Sequence, residues 1–252
     1  MQDLRKFLDQ KVVEYNQLKF IERDPICVPH RYAKKQDIEI AGFFAAILAW
    51  GNRTTIIQNA TRIMNAMDNA PHDFISHHSD NDLKAFLDIK HRTFNATDLL
   101  YFIHFLHFHY KQNDSLESAF CRNKTEGMKE RLTAFNQYFF SIEHPQRTQK
   151  HISSPAKNSA CKRLNMYLRW MVRQDKQGVD FGIWKKIKMN ELICPLDIHV
   201  SNVAFRLQLI PQQKANWQIA QILTERLREF DAKDPAKYDF ALFGLGAEEK
   251  VR

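Results

Sequence analysis

The 252-residue chain has only 7 glycines and 8 prolines. An all-β protein needs many tight turns, and those turns draw on glycine and proline, so a strand-rich fold is not expected. Its 4 cysteines, Cys27, Cys121, Cys161 and Cys194, are scattered with no C-x-x-C pair. Neither a cysteine-built metal or iron–sulfur site nor a disulfide framework is therefore expected. No apolar run reaches the roughly 18 residues that a membrane-crossing helix requires. The opening "MQDLRKFLDQKVVEYN" is charged and amphipathic, unlike a secretory signal, so a cytoplasmic location is expected. No internal repeat and no low-complexity segment is found.

What the chain does have is positive charge, aromatic bulk and helical periodicity. The formal net charge of +8 suits a polyanion, most simply nucleic acid, because lysine and arginine that neutralise phosphates release condensed counterions. A basic but unspecialised surface would give the same number. The 19 Phe and 4 Trp imply a substantial aromatic core, with some rings available for stacking on bases. The length suffices for one large domain or for two lobes around a shared cleft.

Periodicity predicts about ten helices and an all-α fold. An amphipathic helix is expected over 3–17, a Pro-containing connector over 23–36, and an almost wholly apolar helix over 38–50. A break at Trp50-Gly51-Asn52 precedes a helix from about Thr54 to Met67. Shorter helices follow in "APHDFISHH", "NDLKAFLD" and "NATDLLYFIHFLHFHYKQ", the last with Asn95 and Asp98 as caps. "SLESAFCRN" and "MKERLTAFNQYFFSI" add two more, and 143–160 reads as a polar loop. A basic helix is expected from about Ser159 to Arg173, then an irregular basic connector, the helix after Asp197, "KANWQIAQILTERLREF" and "DPAKYDFALFGLG". In the last, Gly244 and Gly246 permit close packing, and Asp239 reads as a cap or structural pair. His104, His107 and His109 have no carboxylate or cysteine at matching spacing, so no metal site is expected there.

Two stretches carry candidate chemistry. In "CPLDIHVSNVAFRLQLI", residues 194–210, Val200, Val203, Ala204, Leu207 and Ile210 recur at helical spacing, so Asp197 falls at an N-cap. In "SPAKNSACKRLNMYLRWMVR", residues 154–173, Asn158 or Ser159 can cap a helix carrying Lys162, Arg163, Arg169 and Arg173. Free N–H groups and the positive dipole end make such a helix start a plausible phosphate clamp. A lysine on one helix and an aspartate capping the next can pair a nucleophilic amine with an acid that aids its deprotonation.

These stretches resemble the helix-hairpin-helix DNA glycosylase superfamily. Asp197, His199, Val200, Val203, Arg206, Leu207 and Leu209 match its V-D-T-H-V-x-R-V-x-x-R-L-G-L pattern. "SACKRLNMYL" is similar to the second hairpin helix, with Lys162 in the place of the catalytic lysine and Asn165 in that of the asparagine three residues on. "IAGFFAAILAWGNRTTIIQNATRIM" is similar to the long apolar helix that opens the six-helix domain. The strings "KRLNMYLRWMVR" and "YDFALFGLG" also resemble an uncharacterised bacterial family placed near these glycosylases.

The resemblance implies two helical lobes around a cleft, one spanning 37–160 and one built from 1–36 plus 161–252. It implies a monomer acting without cofactor or metal on damaged double-stranded DNA, by flipping a nucleotide into a pocket. Lys162 would form a Schiff base with the sugar, giving a glycosylase with lyase activity, and Asp197 would stabilise the oxocarbenium charge. Asn158, Ser159, Arg163, Arg169, Arg173, Lys185, Lys186 and Asn52 are the DNA-contact candidates. Trp50, His199 and Trp184 are base-pocket candidates, and Trp170 is a further ring that could stack. Two departures favour an alternative, a non-catalytic nucleic-acid-binding protein that kept the fold. The hairpin has no glycine, leaving Asn158 to take the left-handed turn, and Lys162 and Asp197 lie 35 positions apart, longer than the family's spacing. The additional residues, "GVDFGIWKKIKMNEL", would lie on DNA or cover a helix. A third reading, a helical protein–protein adaptor, fits the basic helix less well.

Overall fold

In the computed structural model, which describes residues 2–122 and 127–248, the chain is all-α. Twelve α-helices are present among the described residues: α1 Gln2–Tyr15, α2 Leu18–Ile21, α3 Lys35–Ile47, α4 Arg53–Ala66, α5 Pro71–His77, α6 Ala96–Tyr110, α7 Glu117–Phe120, α8 Met128–Phe139, α9 Lys162–Val172, α10 Ile198–Arg206, α11 Trp217–Phe230 and α12 Tyr238–Phe243. Extended pairing among them is limited to two isolated bridges, His91 with Phe94 and Ser159 with Asn216.

The chain divides into two units, Met1–Phe20 with Glu126–Lys129 and Ser154–Arg252, and Ile21–Thr125 with Glu130–Ser153. The sequence reading sets its boundaries at 36/37 and 160/161. The difference at the first has a physical cause. The connector 23–36 is not a loose linker: its prolines start two 3₁₀ turns, Pro25–Cys27 and Pro29–Arg31, which pack on α3, the first of them also on α4. Pre-set φ and a missing N–H make proline an economical opener of such turns.

In the second unit, α3 is buried from Ile38 through Ile47 and packs against α4 and α5. Phe43, Phe102, Phe105, Phe135 and Phe139 interlock around it, mostly edge-on or tilted, while Phe120 lies flat on Phe135. These offset geometries suit ring quadrupoles and add to the apolar burial. α6 starts at the Asn95–Asp98 capping box. Asp98 is fully buried and also accepts from the Thr148 hydroxyl and pairs with Arg147. Arg147 and Thr148 lie on a 3₁₀ turn, Gln146–His151, inside the stretch that composition marks as a polar loop.

In the first unit, α12 packs on α1 and α10, and α11 on the 3₁₀ turn Pro235–Lys237. α12 runs into a π turn, Gly244–Glu248. Both glycines there allow close approach: a β-carbon at 244 would collide with the Tyr15 ring, and one at 246 would stand a tight 3.1 Å from the His199 carbonyl oxygen. Among the described residues no helix is long and apolar enough to cross a membrane. No group of three or more His, Cys, Asp or Glu is placed there to hold a metal ion.

Candidate active site

The site lies where α9 and α10 begin, and both starts are unusual. Before α9, a 3₁₀ turn at Pro155–Lys157 leads into Asn158 at φ 54°. The left-handed conformation costs an ordinary L-residue about 1–2 kcal/mol, and asparagine tolerates it best after glycine. Asn158 thus makes a left-handed turn of the kind that glycine makes most easily. Its carbonyl accepts from the Trp217 N–H at 3.3 Å, which ties the turn to α11.

Neither Asn158 nor Ser159 caps α9, contrary to the sequence expectation. The N-cap is Cys161, also left-handed at φ 49°, and it makes no side-chain cap bond. The reason is the second left-handed residue, which delays the helix until Lys162. Ser159 instead accepts the Cys161 N–H at 3.2 Å, and Asn165 donates to the Ala160 carbonyl at 3.0 Å, so the turn is held from both sides. α9 then opens with Lys162 and Arg163 and no acid. Cations at a helix N-terminus oppose the macrodipole, at a cost of about 0.3–1 kcal/mol each. Burial pulls the Arg163 guanidinium down to about 10, still a cation at neutral pH.

At α10 the local logic reverses, with an acid at the favoured end. One oxygen of Asp197, Oδ1, accepts from the backbone N–H groups of His199 and Val200 at 2.9 and 3.0 Å. The cap leaves Oδ2 free to face α9, where it stands 3.7 Å from Lys162 Nζ. Capping and pairing therefore use different oxygens of one carboxylate. The two side chains are 26% and 22% exposed, so the pair is neither sealed in the core nor spread on the surface. Ile198 is 56% exposed and His199 is exposed beside them.

The other candidates fall in different places. Arg169 and Arg173 are buried, and their guanidiniums are committed to the core rather than to a phosphate. Arg169 pairs with Asp180 and Asp239, while Arg173 pairs with Asp175, Asp180 and Asp234. The Phe240 ring lies under both. Burial opposes the charge on Arg173, but Asp180, Asp234 and Asp175 outweigh it and hold the group above its ordinary value. The connector that supplies Asp180 covers α9, with Phe181 and Trp184 donating to the Trp170 and Met171 carbonyls at 2.8 and 2.9 Å. Trp184 is buried edge-on against Tyr167, so it lines no base pocket, and Trp170 is buried as well.

Lys185 is exposed, but its ammonium is held by Gln174 and the Gly182 carbonyl at 2.9 and 2.6 Å. Lys186 is exposed on the same connector. In the second unit, Asn52 caps α4 through the Thr55 N–H at 3.1 Å, which occupies the oxygen of its amide. Trp50 is half-buried between His91, which meets it edge-on, and His151, which stacks on it.

Sequence reasoning missed Asp180 and Asp234 as partners of the two arginines, and it gave Asp239 no place near the site. The signal was present in "YDFALFGLG": a lone acid inside an apolar run is destined for burial and must find a cation.

An all-α chain with a half-buried lysine–aspartate pair at two adjoining helix starts is the class that this fold and site define. The chain belongs to the family described as "Protein of unknown function (DUF2400)", whose model matches residues 24–248. No curated protein and no solved structure matches it.

Proposed function

We propose that this protein is a DNA base-excision enzyme, a glycosylase with lyase activity that uses Lys162 as its nucleophile. The observation that carries the reading is the Lys162–Asp197 pair, 3.7 Å apart and about one-quarter exposed. A binding relic would have no reason to keep the two groups together yet reachable. A buried ion pair or a splayed one would have favoured the non-catalytic alternative.

The chemistry follows from the groups present. A flipped nucleotide presents its anomeric carbon to the Lys162 amine. As the base departs with the bonding electron pair, positive charge develops on the sugar, and the Asp197 carboxylate beside Lys162 is the group that would stabilise that charge. The neutral amine bonds to the carbon, and one of its protons goes to the departing base. The bond from that carbon to the ring oxygen then breaks, leaving an imine, and the second amine proton ends on the ring oxygen as a hydroxyl. The exposed Lys157 side chain and the start of α9 would supply positive charge and helix-end N–H groups for the phosphates on either side. The glycosylase-like two-lobe arrangement, damaged duplex DNA as partner and a cytoplasmic location belong to the same proposal.

The test is product analysis. Duplex oligonucleotides carrying oxidised purines, oxidised pyrimidines, alkylated bases or an abasic site are incubated with wild type and with Lys162→Gln. The proposal expects base release or strand scission on at least one lesion, lost in the variant. Salt-sensitive binding with no product on any lesion would make this a nucleic-acid-binding protein instead.

A further inference from the structure

The far end of α10, away from Asp197, closes on a backbone signal. Gln208 takes the left-handed conformation at φ 58°. Its N–H donates to the Phe205 carbonyl at 3.0 Å, and the Leu209 N–H to the Ala204 carbonyl at 2.9 Å, the two bonds of a Schellman stop. Glycine is the usual residue at such a position, since it has no β-carbon to crowd. Here the position carries an amide side chain, and that side chain lines a groove shared with α11. Ile222 and Arg226, four residues apart and so on one face of α11, line its other side. The groove encloses about 640 Å³, within the range of about 300–1,000 Å³ typical of ligand sites.

Its floor is apolar and its rim is cationic. Leu209 and Ile210 are buried and Ile222 is half-buried, while the Phe205 ring stands 41% exposed beside them. Arg206 and Arg226 are exposed, and no acid lines the groove. Arg206 meets no partner among the described residues. Arg226 pairs with Glu229 of its own helix at 3.0 Å, with both side chains about half exposed, and such a surface pair contributes little. Both guanidiniums can therefore turn to an incoming anion, and arginine's planar fork matches a carboxylate. A phosphate backbone has no use for an aliphatic floor, and a purely apolar ligand has none for two arginines. We propose that the groove docks an acidic peptide segment of a partner protein, its aromatic or aliphatic anchor on the floor and its Asp or Glu flanks at the arginines. Nine residues of helix, about 14 Å at 1.5 Å per residue, separate Arg206 from Asp197, so the docking does not rest on the chemistry read at Lys162.

The test uses the intact protein and an array of synthetic peptides. Their central residue is Phe, Leu, Ala or Lys, and their flanks are Asp and Glu, Ser, or Lys; fluorescence anisotropy gives the affinities. Acid-flanked Phe and Leu peptides should bind about tenfold or more tighter than Ser-flanked or Ala-centred ones, and salt should weaken them. Arg206→Glu and Phe205→Ser should each weaken the best peptide by about tenfold or more. Both positions are exposed, so both variants should keep the wild-type melting behaviour. No preference for acid-flanked apolar peptides, or a preference that both variants leave intact, would overturn the proposal. The same proteins are titrated with plain duplex DNA and sedimented over a range of concentrations. Duplex binding lost in Arg206→Glu with no peptide bound would make the groove a nucleic-acid contact. A dimer dissolved by Phe205→Ser with no peptide bound would give the groove to a second copy of the chain. Either result would overturn the peptide reading while leaving the Lys162 chemistry to its own assay.

Discussion

Asp197 performs two tasks that can be separated by substitution. Replacing it with Asn keeps an oxygen in the place of Oδ1, and asparagine caps helices about as well as aspartate. What is lost is the negative charge on Oδ2, 3.7 Å from Lys162 Nζ. An ion pair at this separation with side chains about one-quarter exposed contributes about 0–1 kcal/mol to stability, and the charge–dipole term at α10 adds about 0.3–1 kcal/mol. Asp197→Asn should therefore lower the unfolding free energy by no more than about 2 kcal/mol. Asp197→Ala removes the cap as well, at about 1 kcal/mol more. Catalysis should not follow that graded order. Both variants lose the charge, so both should slow single-turnover base release by about 10²–10⁴-fold, the range typical of a positioned acid–base group. Denaturant melts give the first quantity, and gel-resolved strand scission after alkali gives the second. Asp197→Asn releasing base within threefold of wild type would refute the reasoning and leave Asp197 a helix cap.

Three further outcomes follow from the packing. Arg173→Ala strands Asp234 without its cation and leaves Asp180 with Arg169 alone, so denaturant unfolding should show a loss of about 3–5 kcal/mol, and a loss below about 1 would mean those acids find other partners. Burial lowers the His109 imidazole to about 4, while Ser115 and Tyr138 bond its two nitrogens. A folded value below the unfolded one means the unfolded chain binds the proton more readily, so stability is full above about 6.5 and falls as the pH drops toward 4, by about 3 kcal/mol at one pKa unit per 1.36 kcal/mol. That share of the acid loss should disappear in His109→Gln. Gly244→Ala forces a methyl into the Tyr15 ring and should cost about 1–3 kcal/mol by thermal unfolding, with Tyr15→Ala relieving part of it if this contact is the cause.

How far these features can be read from the sequence depends on the distance over which their causes act. The capping box at Asn95 and Asp98 and the cap at Asp197 are local, written within four residues, and the helices they open begin where the sequence places them. The start of α9 is displaced because no side chain marks it: the controlling event is the backbone turn at Cys161. Arg169 and Arg173 look like a solvated basic face because a helix period says nothing about what lies opposite. Their partners come from Asp175 and Asp180 on the connector, Asp234 before α12, and Asp239 within it, between 2 and 70 positions away. Trp184 is hidden for the same reason, since only the connector's return onto α9 buries it. Lys162 and Asp197 were legible as residue types in the right local settings. That one carboxylate serves two partners with two different oxygens required coordinates.

The most direct test of the central claim is borohydride trapping on a duplex containing an abasic site, followed by peptide mapping of the crosslink. The account predicts a reduced covalent adduct on Lys162 that Lys162→Gln abolishes while DNA binding persists. An adduct mapped to another amine, or none under conditions where the protein binds the duplex, would contradict it.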